Sequence, residues 1–227
     1  MSIFLAIQHT YETIEWGLYQ GTSQLSYHSI SKMVASSKLL PALSDMFAAH
    51  NIKLTDILYI ATNQGPGPFT TLRVVISTLN GISFAQKTPL VGVDGLAASL
   101  EEFDQKQPDT MTLVAYNAFN GDIYYGYRYQ DIEHSGCMSV TNLLQYLSLE
   151  YPGISIYAAG NGVYLYESVF KEQLGARLNI ANPLPLFCSL GSIATQSISL
   201  WKNKQYTHQL LPLYLKQYST PTKPLIT

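Results

Sequence analysis

Hydrophobic and polar positions along this chain mark out its elements. Leu39, Leu40, Leu43, Met46 and Phe47 recur at i, i+1, i+4, i+7 and i+8, the single apolar face of an amphipathic helix predicted over 36–50. Ile57 to Ala61 is a short apolar run of the kind that forms a buried strand. Helical spacing returns over Leu72 to Ala85, where Leu72, Val75, Ile76, Leu79 and Ile82 form one apolar face. Val74, Thr78, Gly81 and Ala85 form a second stripe of smaller residues. A helix apolar on two faces lies between two layers, either within its own fold or against a partner. Gly81 inside that helix costs roughly 0.5–1 kcal/mol relative to Ala, a cost offset where another backbone approaches closely.

The pattern also repeats. Ile7-Gln8-His9-Thr10 followed by Thr13 to Tyr19 lines up, 109 residues on, with Tyr116 to Phe119 followed by Asp122 to Arg128. In that alignment Gln8 matches Asn117, Ile14 matches Ile123 and Gly17 matches Gly126. Each segment reads as strand, turn, strand, and Asn120-Gly121 is a hairpin signal because both residues tolerate positive φ. A third strand follows each hairpin (24–30; 132–137), then an amphipathic helix (36–50; 140–149) and a buried strand (57–61; 154–159). Each buried strand runs into a Gly-x-Gly turn, Gly65-Pro66-Gly67 and Gly160-Asn161-Gly162, and another helix.

Two copies of this order predict a duplicated α/β fold with mixed sheets, of the actin, Hsp70 and sugar-kinase (ribonuclease H-like) kind. The expected division is an N-terminal lobe over 1–105 and a C-terminal lobe over 106–218, whose last helix can pack back on the first lobe. The polar stretch Glu101 to Thr110, with Pro108, marks the break, and 219–227, with Pro221 and Pro224, reads as a loose tail. Phosphotransferases of this fold hold magnesium and phosphate between the lobes with an Asp at the start of each hairpin. Magnesium is a hard cation that prefers charged oxygen. Gln8 and Asn117 are neutral amides, so a catalytic role for the cleft is not expected.

The nine residues Gly65-Pro66-Gly67-Pro68-Phe69-Thr70-Thr71-Leu72-Arg73 form a strand-to-helix turn, a place where free N–H groups can hold an anion. The phosphate-binding form of such a loop needs a Lys that is missing here, and the two prolines remove two donors. A structural turn is the simpler reading. Charged residues are only 12% of the chain, about half the usual share, which leaves apolar surface for a partner to cover. The net charge is −2, the only arginines are Arg73, Arg128 and Arg177, and no Lys/Arg cluster occurs, so strong direct RNA or DNA binding is not expected.

The longest early apolar run, Ile3 to Ile7, has five residues, and neither a signal peptide nor a membrane span is read. Cys137 and Cys188, far apart, fit a reducing compartment, and a cytoplasmic location is expected. His9, His28, His50, His134 and His208 lack metal-ligand spacing, so no metal site is expected, and neither catalytic residues nor a cofactor are assigned. His9 lies at a hairpin tip. Cys137 and His134, three apart on a strand, face opposite sides and make a poor nucleophile pair. Tyr125, Tyr127 and Tyr129 alternate along one strand, as sheet packing requires.

Gly65 to Arg73 resembles the Gly-Pro-Gly-Ser-Phe-Thr-Gly-Leu-Arg signature of the TsaB (YeaZ) family, non-catalytic dimerisation subunits of the bacterial tRNA threonylcarbamoyladenosine complex. Ser37 to Pro41 is similar to the start of that family's first long helix, and Pro89 to Val93 to the strand after its signature helix. Asn117 to Gly126 and Pro212 to Lys216 resemble its Asp-Ala-Arg-x-Gly-Glu-Val-Tyr and C-terminal Pro-x-Tyr-Leu-Arg stretches. Gln8 and Asn117 replace common aspartates, Pro68 and Thr71 replace Ser and Gly, and Ala35 stands where many members carry His.

The resemblance implies a chain that docks through N-terminal-lobe helices on a catalytic TsaD-type subunit, without performing the transfer to the adenosine beside the anticodon itself. It also implies a TsaE-type ATPase in a larger complex, and a homodimer when the chain is alone. The expected interface is Leu39, Leu40, Leu43, Phe69, Leu72, Arg73, Ile76 and Leu79, with Leu72→Glu or Ile76→Glu breaking association while the fold survives. The alternatives are a nucleotide-dependent phosphotransferase using the inter-lobe cleft, opposed by Gln8 and Asn117, and a metallo-enzyme, opposed by the scattered histidines.

Overall fold

The computed structural model describes residues 2–216; the tail expected at 219–227 lies outside the described residues. The first half forms β1 (Ile3–His9), β2 (Thr13–Gln20), β3 (Ser23–Gln24), β4 (His28–Ser31), α1 (Ala35–Ala49), β5 (Ile57–Gly65), α2 (Phe69–Gln86), β6 (Leu90–Asp94) and α3 (Gly95–Phe103). The second forms β7 (Thr110–Asn117), β8 (Asp122–Tyr129), β9 (Ile132–Ser139), α4 (Val140–Glu150), β10 (Ser155–Ala159), α5 (Asn161–Leu165), α6 (Glu167–Leu174), β11 (Leu178–Ile180) and α7 (Leu190–Lys202).

The two sheets have the same order, β3-β2-β1-β5-β6 and β9-β8-β7-β10-β11. In each, a hairpin supplies the antiparallel centre and two further strands add in parallel, as crossover connections through helices require. The α/β duplication read from the repeat is therefore present as two mixed sheets flanked by helices.

The repeat differs from its expected form in two places. The third strand of the first half is split into β3 and β4, which both pair with β2. A Cβ on Gly17 would stand 2.2 Å from the Ser26 carbonyl oxygen, so the chain crosses directly over that glycine between the two short strands. The hairpin registers also differ by one residue. Gly17 pairs with Ala6, whereas Gly126 pairs with Val114 and not with Ala115, the position 109 after Ala6. Successive residues of a strand face opposite sides, so this shift matters. Gln8 shares the α3/α7 face with Ala6, while Asn117 shares the α4/α5 face with Ala115. Gln8 and Asn117 are not equivalent positions, and the strand position of Asn117 corresponds to that of His9.

Four layers of apolar contact hold these elements. Leu5, Ile7 and Ile60 bury against α1 and α2; Phe4, Ala6 and Tyr59 bury on the other face of the same sheet against α7. Leu113, Ala115 and Tyr125 pack under α4 and α6, and Val114 and Tyr116 face α3. The inner layer between the sheets is thus α3 and α7. After α7, residues 203–216 return along the first half, where Thr207 bridges to Leu90 and Leu210 enters the core below α2. No helix among the described residues is long and apolar enough to cross a membrane.

Candidate functional site

The signature turn is closed from both sides. Asn63 Oδ1 accepts from Gly65 N at 2.9 Å, and the returning chain donates Leu213 N to Gln64 O at 2.8 Å. Gly65 has φ +123, and a Cβ there would lie 2.7 Å from Leu213 O, so only glycine fits under this strap. Beneath the turn lies His9. A Cβ on Gly67 would stand 2.3 Å from its Cε1. The ring is 4% exposed and neither nitrogen has a hydrogen-bond partner among the described residues. Burial pushes its pKa down to about 4, so the imidazole is neutral at neutral pH.

The arginine of the signature is committed as well. Arg73 Nε donates to the Tyr214 hydroxyl at 2.8 Å, its guanidinium lies 5.6 Å from the Tyr214 ring centre, and Phe69 meets the same ring edge-on at 5.3 Å. The turn therefore packs a helix against its own C-terminal strap, and its arginine is held by Tyr214.

The expected interface residues fall into two groups. Leu39, Leu43, Leu72, Ile76 and Leu79 are buried together in the core beneath α1 and α2. Leu72→Glu or Ile76→Glu would each place a carboxylate in that core, so both substitutions bear on the fold as well as on association. Leu40 is 57% exposed, Arg73 is exposed, and Phe69 is half-buried against Tyr214. What sequence reasoning missed is Phe84, 78% exposed, with Lys87 Nζ 5.0 Å from its ring centre. Phe84 continues the row Arg73, Ser77, Gly81 at i, i+4, i+8 and i+11, all exposed. The sequence signal for this row is its helical spacing alone, since Arg73, Ser77 and Gly81 carry no apolar pattern. Around Gly81 nothing lies within 4 Å of where a Cβ would stand.

At the hairpin ends, Gln8 Nε2 donates to Glu15 at 2.9 Å and to Cys188 O at 3.2 Å. Asn117 N donates to Asn161 Oδ1 at 3.0 Å, and Asn117 Oδ1 accepts from Phe119 N at 2.8 Å. The Tyr11 hydroxyl donates to the Asn117 carbonyl and joins the two hairpins. No three His, Cys, Asp or Glu side chains converge among the described residues. His134 stacks on Tyr125 and Tyr127, while Cys137 packs on the opposite face, as strand alternation predicts. Burial raises the Cys188 thiol to about 12, which leaves it an inert core residue.

Residues 31–190 match the family model described as TsaD: tRNA N6-adenosine threonylcarbamoyltransferase. The chain is 29% identical over 124 residues to the tRNA threonylcarbamoyladenosine biosynthesis protein TsaB of Buchnera aphidicola subsp. Schizaphis graminum, covering 55% of this chain and 59% of that protein. To the TsaB of Escherichia coli K12 it is 26% identical over 121 residues, covering 53% and 52%. The chain thus spans little more than half the length of these curated relatives. YeaZ from Pseudomonas aeruginosa superposes with a TM-score of 0.70 at 22% identity, over 95% of this chain and all of that one. A Bacteroides thetaiotaomicron protein with an actin-like ATPase fold superposes with a TM-score of 0.50 at 10% identity, over 87% and 95%. At these identities the structures establish the fold.

Proposed function

This chain belongs to the TsaD (tRNA N6-adenosine threonylcarbamoyltransferase) family, in its TsaB (YeaZ) branch, and from that premise we propose that it is a non-catalytic assembly subunit in tRNA threonylcarbamoyladenosine formation. Its partner is a catalytic TsaD-type subunit, and its docking surface is the outward side of α1 and α2. A second copy of the chain occupies the same surface when that partner is absent, and a TsaE-type ATPase joins the larger assembly, in the cytoplasm.

The observation that carries this reading is the outer row of α2. Phe84 projects into solvent beside a helix surface reduced to Ser77 and Gly81, where another backbone can approach closely. Leu40 adds an exposed apolar side chain on α1. A phosphotransferase reading finds no support at the hairpin ends, where the Gln8 amide is spent on Glu15 and a backbone carbonyl and no carboxylate stands at Asn117.

The test is co-purification with the TsaD-type subunit of the same organism. Phe84→Glu, being exposed, is expected to weaken association about tenfold or more while the thermal midpoint of the isolated chain stays unchanged. The modified adenosine is expected from the pair and not from this chain alone. Unchanged association of the Phe84 variant, or modification by the isolated chain, would overturn the proposal.

A further inference from the structure

Between the hairpin tips lies a cleft of about 310 Å³ that the docking role leaves unused. This is the place where phosphotransferases of the fold hold magnesium and phosphate. Here its walls are aromatic: Tyr11, Phe119, Tyr164 and Phe187. Tyr11 is buried and stacked on Phe187, with centroids 5.2 Å apart at 14°, which makes a rigid floor. Phe119 is about half exposed, and Tyr164, 67% exposed, meets no other ring among the described residues. Exposed rings gathered at the mouth of a concave site call for a ligand with a face to stack on.

The polar groups define that ligand further. Lys32, the amine at the rim, donates to the Tyr11 carbonyl and pairs with Glu12 at 3.4 Å, so a carboxylate stands beside the one cation that lines the cleft among the described residues. A phosphate here would meet the Glu12 carboxylate as well as the Lys32 amine. Asn117 and Asn161 also line the cleft. Their mutual backbone–side-chain bond, and the bond from Phe119 N to Asn117 Oδ1, orient both amides. The Nδ2 groups so placed donate to no other described residue. Two fixed amide donors beside aromatic faces suit the acceptor-bearing edge of a flat heterocycle. The volume is at the small end of ligand sites, enough for one or two fused rings and part of a sugar.

We propose that this cleft binds an uncharged heteroaromatic ring of nucleobase size, stacked against the aromatic wall and hydrogen-bonded by Asn117 and Asn161. The ring is that of a free nucleoside, whose sugar carries no phosphate. The site discriminates against phosphate attached to the ring's own sugar, the reverse of a nucleotide cleft.

The experiment titrates the isolated full chain, by saturation-transfer NMR, with adenosine, guanosine, cytidine and uridine, and then with the matching 5′-monophosphate and magnesium triphosphate. At least one nucleoside is expected to bind below about 10 mM, its monophosphate several-fold more weakly. Phe119→Ala combined with Tyr164→Ala is expected to lower that affinity about tenfold. Phe119 is about half exposed and Tyr164 mostly so, and a thermal melt of the variant controls for folding. A trinucleotide, whose sugars carry phosphodiesters, is likewise expected to bind more weakly than its nucleoside. The proposal fails if no nucleoside binds at that concentration, if the phosphorylated forms bind more tightly, or if the folded double variant binds as the parent does. All readouts use the chain alone, so failure here leaves the docking proposal standing.

Discussion

His9 shows how a single side chain can define what a turn is for. A neutral imidazole fills the space below Gly67, so the turn is a packed joint between β1 and α2 and not an open cradle. Its folded pKa of about 4 lies below the ordinary 6.5. Between those values the unfolded chain takes up a proton that the folded chain refuses, so stability is full above about pH 6.5 and falls as pH drops toward 4. Linkage gives a loss on the order of 2 kcal/mol between pH 7 and pH 5. Urea unfolding of the parent and of His9→Leu at both pH values checks this. The parent should lose that much more than the variant, and equal losses would show that His9 does not carry the dependence. The same contact predicts that Gly67→Ala costs about 1–3 kcal/mol in the parent and much less beside His9→Ala, as measured in a double-mutant cycle. Sequence marked His9 only as a tip residue, because lone histidines carry no signal of what will cover them.

At the scale of elements, α2 tests the difference between a helix's pattern and its placement. Periodicity over Leu72 to Ala85 located the helix and its two apolar stripes, but the stripe of large residues faces the core. Ile76→Glu should therefore unfold the chain, with a loss on the order of 3–5 kcal/mol, because a carboxylate would be buried without a partner. Circular dichroism in a thermal ramp measures it. A folded Ile76→Glu protein that merely fails to associate would restore the interface expected from sequence. Alternation and run length located strands of both sheets, and the runs read at 57–61 and 154–159 fall on the inner strands β5 and β10. They could not reveal the split of the third strand at Ser26, because the cause is contact with Gly17 across the hairpin. Nor could they show the one-residue register shift, since a hairpin loop can gain a residue without disturbing either flanking pattern.

Across the whole molecule, the two halves are laced together by groups distant in sequence. Arg128 on β8 bonds Glu101 at 3.0 Å and Asp104 at 3.2 Å, at and just beyond the end of α3, while Gln8 reaches Cys188 O. Residues 207–216 extend this lacing: Leu210 sits in the core of the first half, and Lys216 Nζ reaches Asp122 at 2.8 Å on the second. A strap of this kind has no periodicity, because each residue serves a different neighbour, so it is invisible to pattern analysis apart from the resemblance of Pro212 to Lys216. It should act unequally on the two halves. Leu210 is 5% exposed, and Leu210→Ala leaves a cavity beneath α2, with an expected loss of about 2–4 kcal/mol. Leu210 N donates to Asn80 Oδ1 and Asn80 Nδ2 donates to Leu210 O, so loosening there should free the middle of α2 first. Amide hydrogen exchange of the variant should accelerate over 64–82 well before it does over 140–150, where the second core includes no strap residue among the described residues. Equal acceleration in α2 and α4 would mean that the halves open only together and that the strap protects neither one in particular.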